Sequence, residues 1–211
     1  MEPSDKINAP IRVAAICGSL STNSKTRAAL LVALRGAAQL GAQTHLIDLR
    51  HYKLVFSGEM AEKDYPPDVF KLRQEVALAQ GVILGTPEYH SGISGVLKNA
   101  LDLMGFKEFQ GKVVGLVGVA GGSVGAINSL NSLRTVGRSL RAWVIPEQVS
   151  IPRAWQAFDE HGQLKDSNLE ERLLEVGQQV TRFAYLHTSE HAAEFLSKWE
   201  EAQKNPGGGG M

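Results

Sequence analysis

Apolar runs alternate with helix-period segments along most of the chain. Ile11-Arg12-Val13-Ala14-Ala15-Ile16-Cys17 is short, apolar and partly β-branched, the pattern of a strand buried on both faces of a parallel sheet. From Arg27 to Leu40, the residues Ala29, Leu30, Ala33, Leu34 and Ala37 fall on one helical face, and Gly41 stands where a helix stops. Gln43 to Leu49 predicts strand two. Asp68 to Gln80 predicts helix two through Val69, Leu72, Val76 and Ala79, and Gly81 to Thr86 predicts strand three. Val96 to Met104, Lys112 to Ala120 and Ala126 to Leu140 follow as helix three, strand four and helix four. Trp143 to Ile145 and Val149 to Ile151 give a fifth strand interrupted at Pro146, and Asn168 to Lys204 has a helical pattern in one or two pieces. Arg50 to Pro67 shows no clear period, and connections of this length inside a compact domain are often functional or mobile.

This alternation predicts an α/β fold, a five-stranded parallel sheet with helices on both faces, because parallel neighbours need crossover connections. With strand order 2-1-3-4-5, the order reverses between strands one and three. Ligands of open parallel sheets bind outside the carboxyl ends of the strands at such a point. Three loops then converge there: Gly18 to Thr26 after strand one, Pro87 to Gly95 after strand three, and Gly121 to Gly125 after strand four.

The loops differ in chemistry. The first carries five hydroxyl side chains, Ser19, Ser21, Thr22, Ser24 and Thr26, at the start of a helix. Free N–H groups and the helix dipole favour an anion there, and the same residues also serve as ordinary N-caps. The loop is neither a P-loop, since no glycine precedes Lys25-Thr26, nor a G-x-G-x-x-G dinucleotide fingerprint. The second loop offers Tyr89 beside a fixed proline. The third offers bare backbone at Gly121 and Gly122, where no Cβ keeps a flat ring away. A phosphate-bearing planar heterocycle fits the set.

Composition narrows the picture. The 211 residues suit one domain, and 43% hydrophobic with 21% charged residues is ordinary for a globular chain. Lys+Arg and Asp+Glu both number 22, so the net charge is zero, without the basic footprint expected of a nucleic-acid binder. Cys17 is the single cysteine, so no intrachain disulfide forms, which fits a reducing compartment. Met1 to Pro10 is polar and reads as a flexible lead without a signal-peptide core, and no run reaches the roughly 18 apolar residues of a membrane span. A cytoplasmic protein is expected. Residues 205–211, rich in glycine, read as a disordered tail.

Gly18-Ser19-Leu20 with Ser24 and Arg27, then Thr86-Pro87-Glu88-Tyr89 followed by Gly95-Val96-Leu97-Lys98-Asn99-Ala100-Leu101-Asp102, then Gly121-Gly122-Ser123, resemble the NADPH-dependent FMN reductase family of flavodoxin-like proteins. That family includes quinone, chromate and azo-dye reductases. The resemblance runs from about Ile11 to about Ile151. It implies a flavodoxin-like three-layer sandwich, with residues 11–204 as one FMN-binding domain that carries a C-terminal helical extension. It implies FMN phosphate at Ser19, Ser21, Ser24 and Thr26, with Lys25 or Arg27 assisting. It implies isoalloxazine contacts from Pro87, Glu88, Tyr89 and His90, with Gly121, Gly122 and Ser123 near the pyrimidine side. The implied activity is ping-pong transfer from NADPH to FMN and then to a quinone, flavin, metal-ion or azo acceptor. A homodimer or homotetramer is implied as well, with Tyr89 and the Arg50 to Pro67 loop meeting from opposite subunits. Four positions depart from the family pattern: Ser21 replaces an arginine, Thr26 an asparagine, His90 an asparagine and Ser94 a proline.

His90 is the one candidate for an assisting group, as a proton donor to a quinone or simply as a hydrogen-bond partner. Arg134, Arg138 and Arg141 on helix four read either as a solvated face or as contacts to the NADPH phosphate. Lys98 and Asp102 read as an i,i+4 ion pair, and Cys17 as a core residue. His45, His51, His161, His187 and His191 lack metal-ligand spacing, so no metal is expected. Phe183, Tyr185, Leu186, Phe195, Leu196 and Trp199 suit core cover or a subunit contact. Two other classes stay open: a flavodoxin-type electron carrier, which zero net charge disfavours, and a non-catalytic flavin-binding protein.

Overall fold

The structure, a computed structural model, describes residues 10–188. The expected lead up to residue 9, the helical pattern beyond residue 188 with His191, Phe195, Leu196 and Trp199, and the glycine-rich tail lie outside the described residues.

Five strands form a parallel sheet: β1 (Arg12–Cys17), β2 (Gln43–Asp48), β3 (Gly81–Tyr89), β5 (Val113–Val119) and β6 (Trp143–Ile151). Their order is β2-β1-β3-β5-β6, the 2-1-3-4-5 arrangement expected of a flavodoxin-like sheet. A sixth strand, β4 (Gly92–Ile93), has only two residues and pairs antiparallel with the end of β3. The side-chain period of two sorts β1 between two cores. Val13, Ala15 and Cys17 face one side with α1 (Lys25–Gln39) and α7 (Ser167–Thr188). Ala14 and Ile16 face the other with α2 (Pro67–Ala77), α3 (Gly95–Asp102) and α5 (Ile127–Ser139). Two four-residue helices, α4 (Phe106–Phe109) and α6 (Ala154–Ala157), complete the chain. Helix, sheet and helix make the three layers of a flavodoxin-like fold. Among the described residues no helix is long and apolar enough to cross a membrane.

The tightest helix contact joins α1 to α7. A Cβ on Gly177 would run into the Ala33 carbonyl, and one on Gly36 would run into the Leu174 carbonyl. The two glycines let the backbones touch, as packing at interior density requires.

Two expectations need correction. Pro87, Glu88 and Tyr89 are the end of β3 rather than a loop. The fifth strand is continuous through Pro146, because β6 bulges there: Val144 pairs with Val114 and Gln148 with Leu116, leaving three residues opposite Gly115. The long connection after β2 holds two short 3-10 turns, Leu49–His51 and Glu62–Asp64, and the Asn99 amide anchors it by donating to the Val55 carbonyl at 3.1 Å.

Candidate functional site

Gly18 follows β1 because nothing larger fits there. A Cβ would stand 2.7 Å from Leu97 Cβ and 3.0 Å from the Gly85 carbonyl. Its N–H donates to that same carbonyl at 2.8 Å, joining the first loop to β3. Ser24 caps α1, its Oγ accepting from Arg27 N at 3.0 Å. The N–H groups of Lys25 and Thr26 belong to the first turn, which a helix cannot satisfy from within. Ser19, Ser24 and Thr26 are buried and Ser21 is exposed. Arg27 braces the loop, with one guanidinium nitrogen 3.3 Å from Asp48 and the other donating to the Thr22 carbonyl at 2.5 Å. Asp48 also accepts from Arg50, at 3.1 Å from both its backbone N–H and its side chain. Lys25, expected beside the anion, donates instead to the Asp159 carbonyl at 3.3 Å and lies 5.4 Å over the Phe158 ring. Cys17 is fully buried below the loop, and burial pushes its thiol pKa up.

β3 carries the second group of residues past the sheet and turns sharply. His90 and Ser91 both have left-handed backbones (φ 51° and 61°) between the paired residues Tyr89 and Gly92. This is a two-residue hairpin of the type that wants Asn-Gly, so two non-glycine residues hold strained positions at its tip. Pro87 is buried, while Tyr89 and His90 are exposed. Beneath them Thr86 Oγ donates to the Pro87 carbonyl at 2.8 Å and accepts from Ser94 N at 3.0 Å. Ser94 Oγ donates to the Gly18 carbonyl at 2.7 Å and caps α3 by accepting from Leu97 N at 3.2 Å. A proline, usual in the resembling family, has neither the N–H nor the hydroxyl that these bonds need. Glu88 is a distant cap: its carboxylate accepts from Ser129 N at 2.9 Å, in the first turn of α5, whose own N-cap Ala126 has no side-chain acceptor.

The glycine loop after β5 is held from the β6 side. Ala120 N donates to the Ile151 carbonyl (2.9 Å) and Ala154 N to the Ala120 carbonyl (3.0 Å). Arg153 N donates to the Gly122 carbonyl (3.0 Å), and Ala126 N to Ser150 Oγ (2.8 Å). Gly121, Gly122 and Ser123 are exposed, and the space where the two glycines would carry a Cβ is open.

Hydrogen bonds therefore link first loop to β3, first loop to α3, and β3 to α5, all at the carboxyl ends of the strands. Ser19, Ser21, Ser24 and Thr26 lie on the first loop and the start of α1, Pro87, Glu88 and Tyr89 at the end of β3, His90 at the hairpin tip, and Gly121, Gly122 and Ser123 on the loop that leads into α5. Arg134 and Arg141 lie elsewhere. Arg134 bonds Gln148 and the Pro146 carbonyl, and Arg141 stacks 4.1 Å over Phe106 at the amino-terminal end of β6. Lys98 and Asp102 form the expected ion pair at 2.6 Å. Sequence reasoning missed the bracing residues Asp48, Thr86 and Ser129, and the tie made by Ser94. Only Ser94, a hydroxyl just before a helical run, carried a local signal, that of an N-cap.

The donors fit FMN chemically: hydroxyls and a helix start for a phosphate, and an open glycine pair beside a proline for a flat ring. The comparisons agree. Over 182 residues the chain is 32% identical to the NADPH-dependent FMN reductase ArsH of Shigella flexneri, covering 84% of this chain and 70% of that protein. It is 33% identical over 182 residues to the FMN-dependent NADPH-azoreductase of Staphylococcus aureus strain USA300, covering 83% and 96%. Its backbone is similar to that of FerB, a flavoenzyme NAD(P)H:(acceptor) oxidoreductase from Paracoccus denitrificans, with a TM-score of 0.65 and 22% identity over 84% of this chain and 98% of that one, a likeness of fold. The model of the NADPH-dependent FMN reductases matches residues 11–156, and the chain belongs to that family of FMN-dependent oxidoreductases with NADPH as electron donor.

Proposed function

We propose that the three loops form one FMN site and that the protein passes electrons from NADPH through FMN to a small acceptor in two half-reactions at the same open face. The observation that carries this reading is the hydrogen-bonded convergence of the loops, above all the Ser94 hydroxyl that ties the Gly18 carbonyl to the start of α3. FMN, when bound, supplies the redox chemistry itself. The chain's part is to bind and position. Ser19, Ser21, Ser24 and Thr26 offer hydroxyls, and the first turn of α1 offers N–H groups to the phosphate. Pro87, Tyr89, His90 and the backbone of Gly121 to Ser123 border the ring, while Glu88 holds α5 in place beside it. Arg27 is engaged by Asp48 and Lys25 donates to the Asp159 carbonyl, so in this reading phosphate binding rests chiefly on hydroxyls, backbone and dipole.

The acceptor classes compatible with an exposed face are quinones, free flavin, metal ions and azo compounds. Azo compounds are supported by the azoreductase relative. Leu20, Phe56, Tyr89 and Val124 are exposed apolar side chains at or beyond the ends of four different strands, an arrangement that supports a homo-oligomer closing over the site. Titrating flavin-free protein with FMN and with riboflavin tests the phosphate role. FMN is expected to bind at least about tenfold more tightly, as loss of charge-assisted hydrogen bonds implies, and Ser24→Ala is expected to weaken FMN without weakening riboflavin. Equal affinity for the two flavins contradicts the assignment.

A further inference from the structure

A second cleft lies one strand further along the sheet edge, beyond the glycine loop. Its volume is about 430 Å³, and its walls include Ser150, Pro152, Arg153, Lys165, Asp166 and Arg172. A larger cleft beside α1, about 620 Å³, is also rich in cations, but its wall carries two carboxylates, Glu160 and Glu170, as well. There Arg27 pairs with Asp48 and Arg35 with Glu170. In the second cleft, among the described residues, no carboxylate pairs with Arg153, Lys165 or Arg172. Arg172 reaches only the Gln148 carbonyl, at 3.4 Å. The one acidic side chain on the wall, Asp166, turns an oxygen to Asn168 N at 2.9 Å, at the start of α7. Three cations and one carboxylate leave a formal charge of +2.

Arg153 has a left-handed backbone (φ 42°, ψ 53°), which costs an ordinary residue about 1 kcal/mol or more. It is fixed there by its own bonds. Its N–H donates to the Gly122 carbonyl at 3.0 Å, and its carbonyl accepts from Gln156 N at 2.7 Å and Ala157 N at 3.1 Å. Ser150 joins the same two features, since it lines the cleft and accepts from Ala126 N at the end of the glycine loop. The loop that borders the ring and the cationic cleft thus share a wall.

We infer that this cleft receives the 2′-phosphate of NADPH and thereby selects NADPH over NADH. The inference rests on the FMN site proposed above. A nicotinamide that reaches the ring beside Gly121 and Gly122 leaves the remainder of the dinucleotide to exit over a rim of the site. The rim beyond Gly122 has a wall that carries uncompensated positive charge. A phosphate monoester brings about −1.5 to −2 charge at neutral pH, and a guanidinium fork matches its oxygens. The 2′-phosphate is the group that NADH lacks. The start of α7 adds a favourable dipole to the same cleft.

Calorimetric titration with adenosine 2′,5′-bisphosphate and with AMP tests this directly, on flavin-free and FMN-loaded protein alike. The bisphosphate is expected to bind about tenfold or more tightly than AMP, the size of a lost charge-assisted contact. Arg153→Gly suits the left-handed backbone and removes the whole side chain, guanidinium included. It is expected to erase most of that difference, Arg153/Arg172→Gly/Gln the remainder, and Arg153→Lys to restore part of it. In steady state, the kcat/KM ratio of NADPH to NADH is expected to fall about tenfold in Arg153→Gly through KM rather than kcat. Equal binding of the two probes to the native protein overturns the inference, as does an equal loss with NADPH and NADH. Flavin content measured on each preparation separates the two readings. A native protein that takes up no FMN sinks the flavin site, while the probe titration still decides the cleft.

Discussion

Ser94→Ala is the sharpest perturbation of the framework. The hydroxyl is 1% exposed and serves two buried groups, the Gly18 carbonyl at 2.7 Å and Leu97 N at 3.2 Å. Loss of a side-chain N-cap costs about 1 kcal/mol, and a buried carbonyl left without its donor costs about 1 to 3. The sum, about 2 to 4 kcal/mol, is a large share of the roughly 5 to 15 kcal/mol that holds a domain together. For a chain of this size about 1 kcal/mol moves Tm by 2 to 4 °C, so a fall of roughly 4 to 16 °C is expected. Urea unfolding followed by far-ultraviolet circular dichroism measures the free energy directly, and an unchanged slope against denaturant shows that the unfolded state is unaltered. The first loop, released from α3, is expected to bind FMN more weakly in the same variant. A destabilisation below about 0.5 kcal/mol, within the ordinary range for surface substitutions, would falsify the claim that this hydroxyl couples the loops.

Three further outcomes follow from other parts of the molecule. Gly177→Ala forces a Cβ into the Ala33 carbonyl and must separate α1 from α7. A loss of about 2 kcal/mol or more is expected in thermal unfolding, and a neutral effect would show that the helices do not touch as described. His90→Asn with Ser91→Gly gives the hairpin the residues its left-handed turn favours, so Tm is expected to rise by a few degrees, and a fall would refute the turn assignment. Burial raises the thiol pKa of Cys17 above its ordinary 9.0. Burial and the hydrogen bond to Glu75 raise the phenol of Tyr52 as well. The folded chain keeps these protons where the unfolded chain releases them, so stability is fully present below about pH 9 and falls as pH rises beyond it. Lys112, whose pKa burial lowers, works in the opposite direction and flattens the slope. The urea midpoint is expected to drop between pH 8 and 10, less steeply in Cys17→Ala. A midpoint that rises over that range contradicts the assignment.

Much of the framework was legible because it rests on local periods. Alternate residues of β1 do face two different cores, and the parallel sense of the strands follows from the crossover segments. The structure departs from the local pattern where proline suggests a break. Pro87 lies two residues past Gly85, where the pairing of β3 with β1 ends, and Pro146 sits in the bulge of the edge strand β6. Both are places where a sheet tolerates a missing N–H. The bonds that assemble the site were not legible, because they join residues distant in sequence. Glu88 caps a helix 41 positions away, and Ser94 reaches back 76 positions to Gly18. Nothing in the local pattern around Pro152-Arg153 marks the left-handed backbone that sets Arg153 against the glycine loop.

Anaerobic addition of NADPH to the purified, FMN-reconstituted protein tests the central claim most directly. The visible absorption of the bound flavin is expected to bleach on addition and to return when a quinone or azo acceptor follows. A protein that binds no FMN, or whose bound flavin keeps its colour in the presence of NADPH, contradicts the account.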